Sequence, residues 1–148
     1  MSKLKTILLA EDNPKDVELT LEAMAENNLA NQVVVVKDGV EALEYLRCEG
    51  KHKFRKPGNP VVILLDIKMP RMDGIEALRQ IRSDAALKRI PVVMLTTSRE
   101  EKDLINTYEL GVNAYVVKPV SFQQFVGAVK QIGSFWAVLN ELPPDVVV

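Results

Sequence analysis

The stretch Val61-Val62-Ile63-Leu64-Leu65-Asp66-Ile67-Lys68-Met69-Pro70-Arg71-Met72-Asp73-Gly74 decides the fold. Its first five residues are aliphatic without polar alternation, the pattern of a strand covered on both faces, as in a parallel sheet. A single carboxylate, Asp66, follows at the strand's carboxyl end. Open α/β sheets bind ligands just beyond the carboxyl ends of their strands, so Asp66 stands where chemistry is expected.

Working outward, a β-type apolar run, a capping signal and a helical stripe recur five times. Thr6 to Ala10 leads to Asn13-Pro14-Lys15-Asp16, which offers an N-cap, proline at the first helical position and an acid three residues after the cap, followed by the stripe Val17, Leu21, Met24. Gln32 to Val36 leads to Asp38-Gly39-Val40-Glu41 and the stripe Val40, Leu43, Leu46. The central strand leads to Asp73-Gly74-Ile75-Glu76 and Ile75, Leu78, Ile81. Val92 to Thr96 precedes the capping box Ser98-Arg99-Glu100-Glu101 and a helix through Leu104, Ile105 and Tyr108, with Gly111 suited to a left-handed cap. Ala114 to Val117 leads through Lys118-Pro119 to Ser121-Phe122-Gln123-Gln124 and the stripe Phe122, Phe125, Val126, Val129, Ile132, Trp136. Five such units predict a doubly wound parallel sheet of order 2-1-3-4-5, with helices on both faces and its switch point between strands 1 and 3.

A chain of 148 residues, 47% hydrophobic, is expected to form one domain. Its net charge of −1 argues against general attraction to nucleic acid or membranes. The lone Cys48 cannot form an internal disulfide, and the N-terminus lacks a signal-peptide pattern, so a cytoplasmic location is expected. No apolar run approaches the roughly 20 residues that span a bilayer. The basic segment Lys51 to Lys56, within the connection Glu49 to Pro60, reads as a solvated loop, and its His52 receives no catalytic role.

The predicted topology brings Glu11 and Asp12, after strand 1, against Asp66, after strand 3. Three acids at adjacent tips repel one another unless something neutralises them, and Mg²⁺ suits such a set, taking carboxylates, a carbonyl and a phosphate oxygen. Read alone, Glu11 and Asp12 merely begin a helix, where its dipole favours acids. Strand 4 ends in Thr96 and strand 5 in Lys118, adding a hydroxyl and a fixed cation to the same rim. A carboxylate so placed can accept a phosphoryl group while metal and lysine neutralise the transferring charge.

These residues, in order, resemble the receiver domain of a two-component response regulator. The match comprises Glu11-Asp12, Asp66 with its Met-Pro and Asp-Gly turns, Thr96, Tyr115 and Lys118-Pro119. The resemblance implies the flavodoxin-like (βα)5 fold, a single receiver domain over 1–148 with its core at about 5–133 and an extension at about 134–148. It implies phosphoryl acceptance on Asp66 from the phosphohistidine of a cognate sensor histidine kinase, with Mg²⁺ held by Glu11, Asp12, Asp66 and the Lys68 main-chain carbonyl. Thr96 and Lys118 are then the phosphoryl contacts, Thr96 and Tyr115 the switch pair, Lys68 and Ser98 the residues that tune dephosphorylation, and Lys118-Pro119 a cis bond. Such a protein catalyses only its own phosphorylation and dephosphorylation, and signals to another protein through the face from strand 4 to helix 5.

The long segment before strand 3 and a tail with Phe135-Trp136 and Pro143-Pro144 are similar to those of stand-alone receivers that accompany phytochrome-type kinases. That likeness implies a phytochrome-type kinase as partner and a homodimer through helix 5 and the C-terminal region, although Phe135 and Trp136 read equally well as core. Two other functions of this architecture fit less well. A flavin or nucleotide site needs a phosphate loop where Glu11-Asp12-Asn13-Pro14 stands, and a haloacid-dehalogenase-type phosphatase needs a second acid where Lys68 stands.

Overall fold

The computed structural model describes residues 6–26, 33–97, 110–112 and 114–131. Within them β1 (Ile7–Ala10), β2 (Val33–Val36), β3 (Val62–Asp66), β4 (Val92–Thr96) and β5 (Ala114–Val117) form one sheet of order β2-β1-β3-β4-β5. All neighbours are parallel, as the five strand-helix units require. Four helices accompany them, α1 (Pro14–Ala25), α2 (Gly39–Arg47), α3 (Gly74–Ser83) and α4 (Phe122–Gln131). The last is the fifth helix of the sequence reading. The helix expected from Ser98 to Tyr108, Ser98 itself, and the tail with Phe135 and Trp136 lie outside the described residues.

Successive strand residues point to opposite sides, and each side has its own apolar cluster. Leu8, Ala10, Ile63, Leu65, Val92 and Met94 pack with Leu43 and Leu46 of α2 and Leu78 and Ile81 of α3. Ile7, Leu9, Val62, Leu64, Val93 and Leu95 pack with Met24 of α1 and Phe125 of α4. This two-sided burial explains the unbroken aliphatic run before Asp66.

The caps set where each helix begins. The Asn13 side chain accepts from the Lys15 and Asp16 amides at 2.9 and 3.2 Å, and Asp38 and Asp73 accept from the Glu41 and Glu76 amides at 2.8 Å each. Ser121 and Gln124 cap reciprocally at 3.1 and 3.2 Å, a capping box. Register does the rest: Ala10 pairs with Leu65, so Glu11 and Asp66, each the next residue, leave β1 and β3 at the same level.

The basic segment after α2 is largely exposed, as a solvated connection requires, but His52 and Arg55 depart from that expectation. Cys48 turns the chain in a left-handed conformation, φ 55°, and Gly50–His52 form a 3-10 turn that doubles back beside α2. There the buried Glu41 binds His52 Nε2 at 2.9 Å, Lys51 Nζ at 3.1 Å and the Lys37 amide at 2.9 Å. Burial pushes the Glu41 carboxyl up, but these three donors outweigh it and hold it below its ordinary value. Arg55 donates to the Tyr45 carbonyl at 2.6 Å and lies 4.0 Å over the Tyr45 ring, while His52 meets the same ring edge-on. His52 is therefore a structural partner of Glu41 rather than a loop histidine in water. Only Glu41 and Tyr45 on the facing helix reveal this, and the capping pattern already gives Glu41 a local reason to exist.

Two glycines separate steric need from mere tolerance. A Cβ on Gly74 would overlap the Asp66 main-chain oxygen, whereas one on Gly127, exposed on α4, meets nothing. Gly74→Ala is expected to lose about 1–3 kcal/mol through overpacking, and Gly127→Ala to gain about 0.4–1 kcal/mol. Urea unfolding midpoints moving in opposite directions check both.

Candidate active site

The switch point of the sheet gathers the expected acids. Asp66, the last residue of β3, and Glu11, the residue after β1, are 4% and 2% exposed, while Asp12 is exposed. Each offers an oxygen, and the three oxygens lie within 4.8 Å of one another. Lys118, just after β5, reaches across with its Nζ 2.8 Å from Glu11 Oε2, 3.0 Å from Asp66 Oδ1 and 3.1 Å from Asp16 Oδ2. An ammonium has three N–H donors, and here three carboxylates receive them. The Lys118 amide also donates to the Thr96 carbonyl at 2.9 Å, and the Lys118-Pro119 bond is cis, as the resemblance implies.

These residues line a cleft of about 160 Å³ together with Asn13, Lys68 and Thr97. Thr96 closes β4 and is fully buried, so the cleft wall itself carries Thr97. Tyr115 is half-buried on β5 and packs on the apolar cluster of the α2–α3 side. Sequence reasoning missed Asp16, Asn13 and Thr97 as cleft residues. In the sequence Asp16 has the plainer reading of an acid favoured in a first helical turn. With Pro14 starting the helix, that turn lies at the β1 tip, and a third acid within five residues of Glu11 was the available signal.

Charge in the cleft is one-sided. Glu11, Asp12, Asp16 and Asp66 face Lys118 and Lys68. Burial pushes Asp66 up to about 7, the Glu11 charge adds to the rise, and the Lys118 contact opposes it. Burial pulls Lys118 down, but Glu11 and Asp66 more than compensate and raise it. One lysine thus fails to neutralise the buried pair. Clustered all-oxygen donors with surplus negative charge match the ligand preference of a hard divalent cation, so the residues fit Mg²⁺ or Mn²⁺.

A doubly wound parallel sheet with an acid cluster and a lysine at its switch point defines an α/β protein of the flavodoxin-like class, whose ligands bind at that point. The family model for the response regulator receiver domain matches residues 7–130, and the chain belongs to that family. Response regulator Rcp1 of Synechocystis sp. is 38% identical over 139 residues, 94% of this chain and 93% of that protein. Among solved structures, the bacteriophytochrome response regulator RtBRR is 58% identical with a TM-score of 0.86, covering 96% of this chain and 86% of that one. The Mn(2+)-bound form of Rcp1 is 37% identical with a TM-score of 0.70, covering 94% and 97%.

The Asp66 shift has a testable sign. Unfolded Asp66 ionises near 3.8, whereas folded Asp66 holds its proton until about 7, so between these values the folded state binds more protons and loses stability as pH rises. In metal-free solution, the melting temperature of wild type relative to Asp66→Asn is expected to fall from about pH 5 to about pH 8. Equal pH profiles for the two proteins would remove the buried-charge account.

Proposed function

We propose that the protein is a single-domain response regulator in which Asp66 accepts a phosphoryl group from the phosphohistidine of a sensor histidine kinase in the presence of Mg²⁺. The observation that carries this reading is the three-way contact of Lys118 with Glu11, Asp66 and Asp16 beside three clustered carboxylate oxygens. An Asp66 carboxylate oxygen attacks phosphorus, the phosphorus–nitrogen bond breaks, and the imidazole leaves. Glu11, Asp12, Asp66 and the Lys68 main-chain carbonyl hold the metal. When bound, the metal supplies positive charge that offsets the acids and the transferring phosphoryl oxygens. Lys118 is already tethered to Asp66 and can move its donors to the phosphoryl oxygens with little reorganisation.

Thr96 meets the phosphoryl group by turning its hydroxyl out of the buried end of β4, and Tyr115 follows it inward, shifting the population of the surface from β4 through α4. Lys68, at the cleft, and Ser98 tune the loss of the phosphoryl group. The likeness to RtBRR, a bacteriophytochrome response regulator, supports a phytochrome-type kinase as donor, and the protein would act in the cytoplasm. Output passes by protein contact, including a homodimer through α4 and the C-terminal region, and residues 1–148 serve as one receiver with its core at about 5–133.

With Mg²⁺ and acetyl phosphate or the cognate kinase, intact mass is expected to rise by one phosphoryl group, and Asp66→Asn to stay unmodified. A persistent second-site adduct in Asp66→Asn would reassign the acceptor. Lys118→Ala is expected to phosphorylate about 10²-fold more slowly and to bind its partner equally well with or without the phosphoryl group. Wild-type switching in that variant would remove Lys118 from the mechanism.

A further inference from the structure

The segment Ile67–Asp73, between β3 and α3, contains Lys68 and is held in an unusual way. At its base the Gly74 amide donates to the Ile67 carbonyl at 2.8 Å. At its tip the Met72 amide donates to the Pro70 carbonyl at 2.6 Å around Arg71, whose φ is +62°. A three-residue γ-turn with positive φ at a non-glycine residue is a strained conformation that the surroundings must sustain.

The sustaining contact comes from the start of α2. Arg71 Nε and Nη2 donate to the two Asp38 oxygens at 2.8 and 3.2 Å, a bidentate pair. The same buried Asp38 caps α2 through the Glu41 amide at 2.8 Å, so the carboxylate is fixed before it meets the arginine. Burial pushes Asp38 up, yet Arg71 and the helix-start amides hold it below its ordinary value, which keeps the pair ionised at neutral pH. Next to it the Gly39 amide donates to the Met72 carbonyl at 3.0 Å, an approach so close that a Cβ on Gly39 would collide with Met72.

We propose that the Asp38–Arg71 pair is a positioning device for the metal centre: by clamping the γ-turn against α2 it fixes the Ile67–Asp73 segment, and with it the Lys68 main-chain carbonyl. This rests on the metal site proposed above. The hydrogen bonds of the pair run between the two residues and to the Glu41 amide rather than to the acid cluster. Their effect passes through the backbone of the segment they brace, as outer partners of metal ligands commonly act.

Mn²⁺ titrated alone into the full chain, followed by calorimetry and by the electron paramagnetic resonance signal of the free ion, tests the clamp. Asp38→Ser keeps a cap at α2, and Arg71→Gly suits the positive φ, so both remove the pair while respecting the local backbone. Met69 and Met72 pack on the α2–α3 apolar cluster without help from the pair, so either variant is expected to stay folded. Each substitution is expected to raise the Mn²⁺ dissociation constant about tenfold, with the double variant no weaker than the worse single one.

Simple electrostatics predicts otherwise, because losing Arg71 removes a cation and should tighten Mn²⁺. Wild-type or tighter binding by Arg71→Gly therefore overturns the clamp while leaving the metal site intact. Absence of Mn²⁺ binding to wild type, or undiminished binding by Asp12→Asn, overturns the metal site itself. Should Asp38→Ser unfold, Arg71→Gly alone decides.

Discussion

The structure turns on one ammonium shared among acids that are mostly out of water. Lys118 reaches Glu11, Asp66 and Asp16 at once, but its single positive charge cannot neutralise all three, and burial, with the Glu11 charge added, raises Asp66. Burying such a group without full compensation costs stability, and folds retain these costs chiefly where chemistry uses them. A buried carboxylate only partly compensated by its lysine is also one prepared to gain a further partner, whether proton, cation or the electrophilic phosphorus of a donor.

That arrangement is assembled by ordinary means. Parallel register levels the tips of β1 and β3, the Asn13 cap and Pro14 start α1 immediately after the acids, and the residue after β5 carries the lysine. Gly74 lets α3 begin against the backbone of Asp66 itself. Each is a local solution to capping or packing, and together they bring residues more than 100 positions apart within hydrogen-bond reach.

Much of this was legible in the sequence because it is periodic or punctuated. The strand order, four described helix starts and the acid cluster follow from aliphatic runs, cap residues and strand-end placement. The anchoring of His52 and Arg55 in the otherwise exposed basic segment was not legible. It depends on Glu41 and Tyr45 of α2, which lie outside the segment itself. Asp16 was hidden by a double meaning, since an acid in a first helical turn already has a sufficient local reason to exist. Thr97 was hidden by Thr96, because a sequence states which threonine ends the strand but not which one borders the cavity.

The alternation of strand residues between two apolar clusters has a wider consequence. The sheet is a partition wall: Ile7, Leu9 and Leu64 belong to one compartment, Leu8, Ala10 and Leu65 to the other, and among the described residues no side chain belongs to both clusters. A void opened on one side can be refilled only by neighbours on that side, so the chain carries two interiors that drift and repair independently. Asp66 stands at the rim where the compartments end, which lets either interior be revised without rewriting the other's account of the chemistry.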